Sequence, residues 1–193
     1  MFLIATTISF LHLGIEAYGL ESRKEYFYRP QVGAWFGPIT PVGKTDEKID
    51  AALAGGFFVR INTPYKPVKF AVDVSYQHFK SKQVNELYCV PLYGNLVYLL
   101  PVNLPIKIQL KGGMGSGYLS LRPDRIHQWD ALFMTGLEVS FPAGRIVNIG
   151  IRFDYLYLYD GNIESRRNYV FYIKKPISGG HILNTGITLY FNI

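Results

Sequence analysis

The sequence is poor in cysteine and has no long apolar run, and both absences narrow the class of protein. A single cysteine, Cys89, excludes an internal disulfide framework and a multi-cysteine zinc site, so it is most simply a packing residue. The longest apolar segment, Phe2 to Ile15, is interrupted by His12 and falls short of the ~20 residues that a membrane-spanning helix needs. Yet 49% of the 193 residues are hydrophobic, which excludes a disordered chain and predicts one folded domain.

The first 19 residues have the pattern of a secretory signal peptide. Phe2 to Ile15 has the length of an apolar h-region, and Ala17-Tyr18-Gly19 places small residues where a signal peptidase reads them. No Lys or Arg precedes the apolar run, which departs from the usual basic start. We therefore expect residues 1–19 to be removed and residues 20–193 to form the mature domain. The alternative is a buried N-terminal strand or helix.

The charge of the expected mature chain is positive but not clustered. Cleavage removes one charged residue, Glu16, and leaves 13 acidic and 20 basic residues with a formal charge of +7. The basic residues form no basic helix and no recognised nucleic-acid motif. This distribution favours an anionic lipid surface as a partner and disfavours nucleic acid. We expect neither a metal site nor a cofactor.

Aromatic residues and two-residue periodicity are abundant instead. Tyr contributes 15 and Phe 13 residues, and both favour strands. Apolar and polar residues alternate in long segments, which indicates half-buried strands. The pattern predicts eight strands: Phe27 to Pro38, Ile49 to Asn62, Val68 to Phe79, Leu87 to Leu100, Ile106 to Leu119, Trp129 to Phe141, Arg145 to Tyr159, and His181 to Ile193. These exceed the ~5 to 6 residues of an ordinary strand and reach the ~9 to 11 of a tilted strand that crosses a bilayer.

The connections between these strands alternate in length. Three are short: Asn62 to Pro67, Pro101 to Pro105, and Pro142 to Arg145. Four are longer: Ile39 to Lys48, Lys80 to Glu86, Ser120 to Gln128, and Asp160 to Gly180. Short turns on one side and long loops on the other are typical of outer-membrane barrels. The sequence therefore predicts an all-β, eight-stranded, antiparallel up-and-down transmembrane barrel with both termini on the short-turn, periplasmic side.

The polar face of the strands predicts a charged lumen. In the strand from Arg145, alternate residues such as Arg152 and Asp154 oppose an apolar face that ends in Tyr155, Tyr157 and Tyr159. Across the strands, the polar face is rich in Gly and in charges of both signs: Arg60, Lys69, Lys107, Lys111 and Arg152 against Asp50, Asp73, Asp130, Glu138 and Asp154. Eight strands enclose only enough room for side chains. Because unpaired buried charge is costly, we expect a plugged lumen in which charges pair and Glu138 faces Arg152.

Aromatic residues of the apolar face gather near strand ends. At the long-loop end these are Tyr76, Tyr88, Tyr118, Trp129, Tyr157 and Tyr159, and at the short-turn end Phe70, Tyr98, Phe141 and Phe191. Rings in such positions form belts where a membrane meets headgroups. Tyrosines that simply flank the strands of a soluble sheet are the alternative, and a secreted soluble barrel with a ligand inside stays open. Pro30 and Pro91 require bulges or rim positions, because proline donates no ladder hydrogen bond.

The last ten residues resemble the β-signal of outer-membrane proteins. Asn184, Gly186, Leu189 and Phe191 fill its polar, glycine and two hydrophobic places, although the final residue is Ile193 where many members end in Phe. The resemblance implies recognition by the barrel-assembly machinery of a Gram-negative-type envelope. The whole mature chain resembles in architecture the small barrels of the OmpA transmembrane domain, OmpX and OmpW class. That likeness implies contact with outer-membrane lipid and lipopolysaccharide but no particular activity.

Two loose sets of polar residues are candidates for catalysis. Some barrels of this size act on lipid A with His, Ser and an acid near the outer rim. Asp73, Ser75 and His78 do not converge, because alternation puts His78 on the other face. Asp124, Ser120 and His127 form the second set, in a predicted loop. We expect no enzyme; polar residues at the rim meet headgroups and water.

The long loops are the remaining candidates for function. They carry the basic residues Lys80, Lys82, Arg166, Arg167, Lys174 and Lys175, which suit lipid phosphates or another anionic partner outside the cell. Ordinary solvated charge is the alternative. The leading interpretation is a non-catalytic barrel with a structural or surface-interaction role. A narrow channel for ions or small apolar solutes and a lipid A-modifying enzyme are the alternatives.

Overall fold

The computed structural model describes residues 29–47, 49–80, 86–102, 104–122, 126–144, 146–159 and 179–193. Within them lie eight strands and one short 3-10 helix (Gly43–Thr45): β1 Gln31–Pro41, β2 Ala52–Asn62, β3 Val68–Lys80, β4 Glu86–Leu99, β5 Lys107–Arg122, β6 Ile126–Pro142, β7 Val147–Tyr159 and β8 Gly180–Asn192. Each strand pairs antiparallel with its sequence neighbours, and β1 pairs with β8. The predicted closed up-and-down barrel is confirmed. The expected signal peptide, residues 1–19, lies outside the described part of the chain.

The two ends of the barrel are distinguished by their connections. At one end, here the short-turn end, residues 63–67, 100–106 and 143–146 link successive strands, and the chain enters β1 and leaves β8. At the other, the long-loop end, β1 is joined to β2 by residues 42–51 and β7 to β8 by residues 160–179. The other two predicted long loops are shorter than expected, because only residues 81–85 join β3 to β4 and only residues 123–125 join β5 to β6. Among the described residues, no helix is long and apolar enough to cross a membrane.

The predicted strand ends differ most from the structure at three places. β1 runs to Pro41 rather than Pro38, and its predicted start at Phe27 lies outside the described residues. β2 begins at Ala52, so Asp50 lies before the strand and is exposed instead of facing the lumen. The predicted loop Ser120 to Gln128 is mostly strand, because ladder pairing continues through Tyr118 with Trp129 and Ser120 with His127.

Prolines interrupt the ladder without shifting its register. Pro91 lies inside β4 with its side chain buried, and pairing with β3 passes from Val74 with Leu92 directly to Gln77 with Cys89. Pro38 leaves the same gap in the pairing of β1 with β8. The absence of an N–H at proline explains both gaps. The bulge expected at Pro91 is therefore replaced by an in-register break, while Pro30 precedes β1 and accepts a hydrogen bond from the Ile193 N–H at 2.9 Å.

The apolar face of the strands is the outer one. Large apolar side chains on all sides of the barrel are exposed, among them Phe57 at 70%, Met114 at 67% and Ile187 at 64%. Charged side chains such as Arg60, Glu138 and Arg152 are at most 1% exposed inside. This arrangement is the reverse of a soluble barrel that holds a ligand in an apolar interior, and it matches barrels whose outer band faces lipid.

Candidate functional site

The centre of the lumen is held by a bidentate ion pair that crosses the barrel. Arg60 of β2 donates from Nη2 to Glu138 Oε2 of β6 at 2.6 Å and from Nη1 to Oε1 at 3.1 Å. Arg60 Nη1 also donates to Gln109 Oε1 at 3.0 Å, and Lys111 Nζ lies 3.5 Å from Glu138 Oε2. A guanidinium group and a carboxylate that exchange two parallel hydrogen bonds fix each other's position as well as their charge.

A second cluster surrounds Arg152 of β7. Its guanidinium group donates to Asp154 Oδ2, with Nε at 2.6 Å, and to Asp73 Oδ1 at 3.2 Å. Tyr93 OH accepts from Nη2 at 3.2 Å, and Lys111 Nζ lies 2.6 Å from Asp154 Oδ1. Lys111 therefore joins the Arg152 cluster to the Glu138 pair. The resulting network ties together six strands, β2 to β7, across the lumen.

Glu138 and Arg152 occupy opposite positions in the ladder of β6 and β7. Each nevertheless forms its ion pairs with other residues: Glu138 with Arg60 and Lys111, and Arg152 with Asp73 and Asp154. The lumen is narrow enough for long side chains to reach strands on its far side. Position along a strand therefore does not determine the partner of an inward charge.

Aromatic rings pack against both guanidinium groups. Arg60 lies 4.2 Å from the centroid of Phe58 and 5.2 Å from that of Tyr190, and Arg152 lies 4.8 Å from that of Trp35. The Tyr190 hydroxyl is hydrogen bonded to Ser140 Oγ at 2.8 Å. These contacts stabilise a cation away from water, because the ring face is negative. The sequence pattern does not reveal Trp35, Phe58 and Tyr190 as lumen residues.

The other predicted lumen charges lie nearer the barrel ends. Lys69 donates to the Arg29 carbonyl oxygen and Lys107 to Asn148 Oδ1 at 3.2 Å, both at the short-turn end. Asp130 accepts two hydrogen bonds from Gln128 Nε2, at 3.0 and 2.8 Å, at the long-loop end. Nine of the ten charged residues that we expected in the lumen are buried inside the barrel. The tenth, Asp50, is exposed and lies outside the strands.

An apolar layer lies in the long-loop half of the lumen, beside the buried Gln77 and Asp130, and we did not predict it. Leu132, Leu156, Phe79 and Cys89 face inward and are fully buried. They pack with Ile39, Met134, Leu158 and Ile182 as one cluster. A signal was present in the sequence, because β6 and β7 carry apolar residues on both faces near this end.

Glycines of the polar face let neighbouring side chains and backbone approach closely. A Cβ on Gly136 would overlap Asp154 Oδ1, and one on Gly113 would overlap the Gly94 carbonyl oxygen. Gly112, which faces outward, has open space at the same point. The inward glycines therefore provide room for the charge network. The sequence pattern, in which glycines share the polar face with long charged side chains, indicated this role.

The predicted belt residues lie on the outer surface at both ends. Tyr118 and Trp129 lie on the adjoining strands β5 and β6 toward the long-loop end, 5.2 Å apart between ring centroids, and Tyr76 lies on β3 at the same end. Tyr157 lies at the same end, 6.4 Å from Phe133 between centroids. Phe141 and Phe191 lie at the short-turn end and are 47% and 42% exposed.

The β-signal residues occupy the closing strand. Asn184 is buried in the lumen, whereas Leu189 and Phe191 are each 42% exposed on the outer face. Gly186 lies against Phe36 of β1, where a Cβ would come within 2.7 Å of the carbonyl oxygen. β8 pairs with both β1 and β7 and so completes the barrel.

The two candidate catalytic sets are not assembled in the described structure. Asp73 and Ser75 are buried in the lumen and His78 lies on the outer face. Ser120 and His127 are ladder partners on the outer face, but Asp124 lies outside the described residues. His127 Nδ1 is hydrogen bonded to the Tyr118 hydroxyl at 3.0 Å. Among the residues described, no group of three or more His, Cys, Asp or Glu is arranged to hold a metal ion.

Only part of the predicted basic loop surface is described. Lys80 is the last residue of β3 and is exposed. Lys82, Arg166, Arg167, Lys174 and Lys175 lie outside the described residues.

A closed antiparallel barrel with an apolar outside and a charged inside is the architecture of the small outer-membrane barrel proteins. Solved structures of that class match this chain. Neisserial surface protein A (NspA) has a TM-score of 0.62 at 13% identity, with 85% of this chain and 97% of that one covered. The N-terminal β-barrel domain of Pseudomonas aeruginosa OprF has a TM-score of 0.52 at 10% identity, with 86% and 98% covered. At such low identity the likeness shows the fold alone. No protein-family model matches the sequence, and no curated protein matches it significantly.

Proposed function

We propose that this chain is an integral protein of the bacterial outer membrane without catalytic activity. Its role is structural or surface-interacting, through the long-loop end. The observation that carries the proposal is the contrast between the exposed apolar outer face and the fully buried Arg60–Glu138 and Arg152 clusters. An apolar band of this kind is stable against lipid and unfavourable against water.

The orientation follows from the same reasoning. We place both termini and the short turns in the periplasm, and the long-loop end outside the cell. The rings at the two ends then lie at the two headgroup layers, and the exposed Leu189 and Phe191 face lipid. The barrel-assembly machinery would read Asn184, Gly186, Leu189 and Phe191 during export, after removal of residues 1–19.

A wide channel is disfavoured by the packing of the interior. The charge network fills the middle of the lumen, and the apolar layer around Leu132 and Leu156 follows it toward the long-loop end. Water needs polar partners, which an apolar layer does not provide. Because both layers are packed with side chains, we expect the function to lie at the surface of the barrel and not in its lumen.

Expression of the full chain in a Gram-negative host tests the proposal. We expect recovery in the outer membrane and a mobility shift between unheated and boiled samples on detergent gels. Orientation is tested with a membrane-impermeant maleimide on intact cells, using Asp50→Cys at the long-loop end and Lys66→Cys in a short turn. Labelling of the first alone is expected. A chain that is soluble and folded without detergent contradicts the proposal, and labelling of Lys66→Cys alone reverses the orientation.

A further inference from the structure

One sector of the outer rim gathers charge and aromatic rings on the same surface. At the long-loop end of β3, β4 and β5, the ladder aligns Lys80, Glu86 and Arg122 in one row. The next row toward the middle of the barrel aligns His78 with Tyr88, and Ser120 with His127. All of these positions alternate with inward-facing residues and so belong to the outer face. We call this surface the rim patch and define it by His78, Lys80, Glu86, Tyr88, Arg122 and His127.

The rim patch is ordered by contacts among its own side chains. The rings of His78 and Tyr88 are stacked with centroids 4.4 Å apart and planes at 2°. Arg122 lies 5.0 Å from the centroid of Tyr88 on the neighbouring strand. The Tyr88 hydroxyl donates to Glu86 Oε2 at 2.7 Å, which holds the carboxylate beside His78. The contact of a guanidinium group with a ring face does not use its N–H groups as hydrogen-bond donors. The ring of Tyr88 therefore positions Arg122 and leaves its N–H groups able to bind a phosphate.

Charge is distributed unevenly around this end of the barrel. Lys80, Glu86 and Arg122 are the charged side chains that the described strands carry on their outer face. The connection between β1 and β2 carries Asp46, Glu47 and Asp50 together with two lysines, Lys44 and Lys48. On the outer face of the described strands, Lys80 and Arg122 are therefore the cations that can attract an anion.

The surface next to the rim patch fits the rest of a lipid. Tyr76 and Trp129 lie just below it, exposed at 56% and 63%, and the apolar Val74, Leu92 and Met114 continue toward the middle of the barrel. Charge, then rings, then apolar side chains is the order in which a lipid presents its phosphate, its headgroup boundary and its chains.

We propose that the rim patch binds the phosphate-bearing headgroup of an outer-leaflet membrane lipid. Arg122 and Lys80 pair with the phosphate, and His78 and His127 contribute hydrogen bonds beside it. The inference rests on the proposed insertion into the outer membrane and adds a defined lipid site to it. The acyl chains lie along β3 to β5 beneath Tyr76.

The test measures lipid binding to the folded, full-length mature chain in an uncharged maltoside detergent, which supplies no phosphate of its own. The probes are bis-phosphorylated lipid A and the same lipid after removal of its phosphates. Trp129 fluorescence follows the titration, because Trp129 adjoins the patch while the chain's other tryptophan, Trp35, is buried in the lumen. Native mass spectrometry counts the lipids retained by each barrel.

The variant Lys80→Gln/Arg122→Gln removes both cations of the patch. We expect it to bind phosphorylated lipid A roughly tenfold more weakly, since charge-assisted hydrogen bonds are the stronger ones. Arg29→Gln/Lys66→Gln makes the same change of charge at the short-turn end, and His181→Gln removes a rim histidine in another sector. Both controls are expected to bind within about twofold of the unchanged chain, because neither removes a charge-assisted contact with the phosphate.

Equal weakening in Lys80→Gln/Arg122→Gln and in the Arg29→Gln/Lys66→Gln control overturns the site, because attraction then depends on net charge alone. Equal binding of the phosphorylated and dephosphorylated lipid by the unchanged chain overturns it as well. The heat-dependent gel shift is measured on the same samples. A barrel that shows the shift but does not discriminate refutes the lipid site alone, whereas a chain that never forms a detergent-stable barrel refutes the proposed function too.

Discussion

Replacement of Glu138 by Ala removes the carboxylate at the centre of the lumen network. Glu138 is fully buried and accepts two hydrogen bonds from Arg60, which is itself 1% exposed. After the change, Gln109 still accepts from Arg60, but the guanidinium charge has lost its bidentate partner. Removing one member of a buried ion pair typically costs about 3–5 kcal/mol, because the other charge stays buried without compensation. We expect Glu138→Ala to lose a free energy of unfolding of that size.

Urea unfolding of the barrel, refolded into lipid vesicles, measures this loss. The gel shift between folded and unfolded forms reports the folded fraction at each urea concentration. Asp50→Asn is the matched control, because it removes an acidic charge that lies outside the strands and is exposed. Its unfolding midpoint should equal that of the unchanged chain.

A double-mutant cycle separates the ion pair from the space that Glu138 fills. Arg60→Met/Glu138→Met replaces both charges with apolar side chains, and such replacements are often neutral or stabilising. The double variant should therefore be more stable than either Arg60→Met or Glu138→Met alone. If Glu138→Ala unfolds at the same urea concentration as the unchanged chain, the network does not hold the barrel together and the lumen is hydrated rather than packed.

Three further predictions concern the packing of the interior. Gly113→Val should lower the folding yield and the urea midpoint by overlap with the Gly94 carbonyl, whereas Gly112→Val, which has open space, should not; equal effects would contradict the inward assignment. Cys89, with no exposed surface, should react with a small maleimide after boiling but not in the folded barrel, and rapid labelling of the folded form would show an open lumen. In planar bilayers the refolded chain should give no steady conductance, because charged and apolar layers both close the lumen; well-defined current steps would refute this packing.

The sequence predicts the strands and their faces because two-residue alternation is a local property. Residues such as Arg152 and Asp154 face inward wherever the strand is placed, so their burial follows once the direction of the barrel is known. Ion-pair partners are not local. Glu138 binds Arg60 on a strand across the lumen rather than Arg152, its ladder neighbour, because strand tilt and stagger set the height of each side chain.

The end of a strand is also difficult to predict from composition. Ser120 and His127 belong to a polar stretch that resembles a loop, yet they continue the ladder of β5 and β6. Their outward neighbours Tyr118 and Trp129 form a cross-strand ring pair, which stabilises the hairpin beyond the apolar band. The rim patch depends on this extension, since the last residue of β5 is Arg122. The predicted end of β5 at Leu119 left Arg122 in a loop, so the prediction did not place Arg122 beside Tyr88.

The two-layered lumen and the uneven rim together locate function on this barrel. A side chain in the lumen network has several charged or aromatic partners, so a change there acts first on stability. The apolar layer lies on the long-loop side of that network, and Leu132 and Leu156 within it are fully buried. Surface side chains such as Lys80 and Arg122 are exposed, and Arg122 has a ring contact with Tyr88, so a change there acts less on stability. Variation of function within this architecture is therefore expected at the rim and loops, while the charges inside are kept for folding.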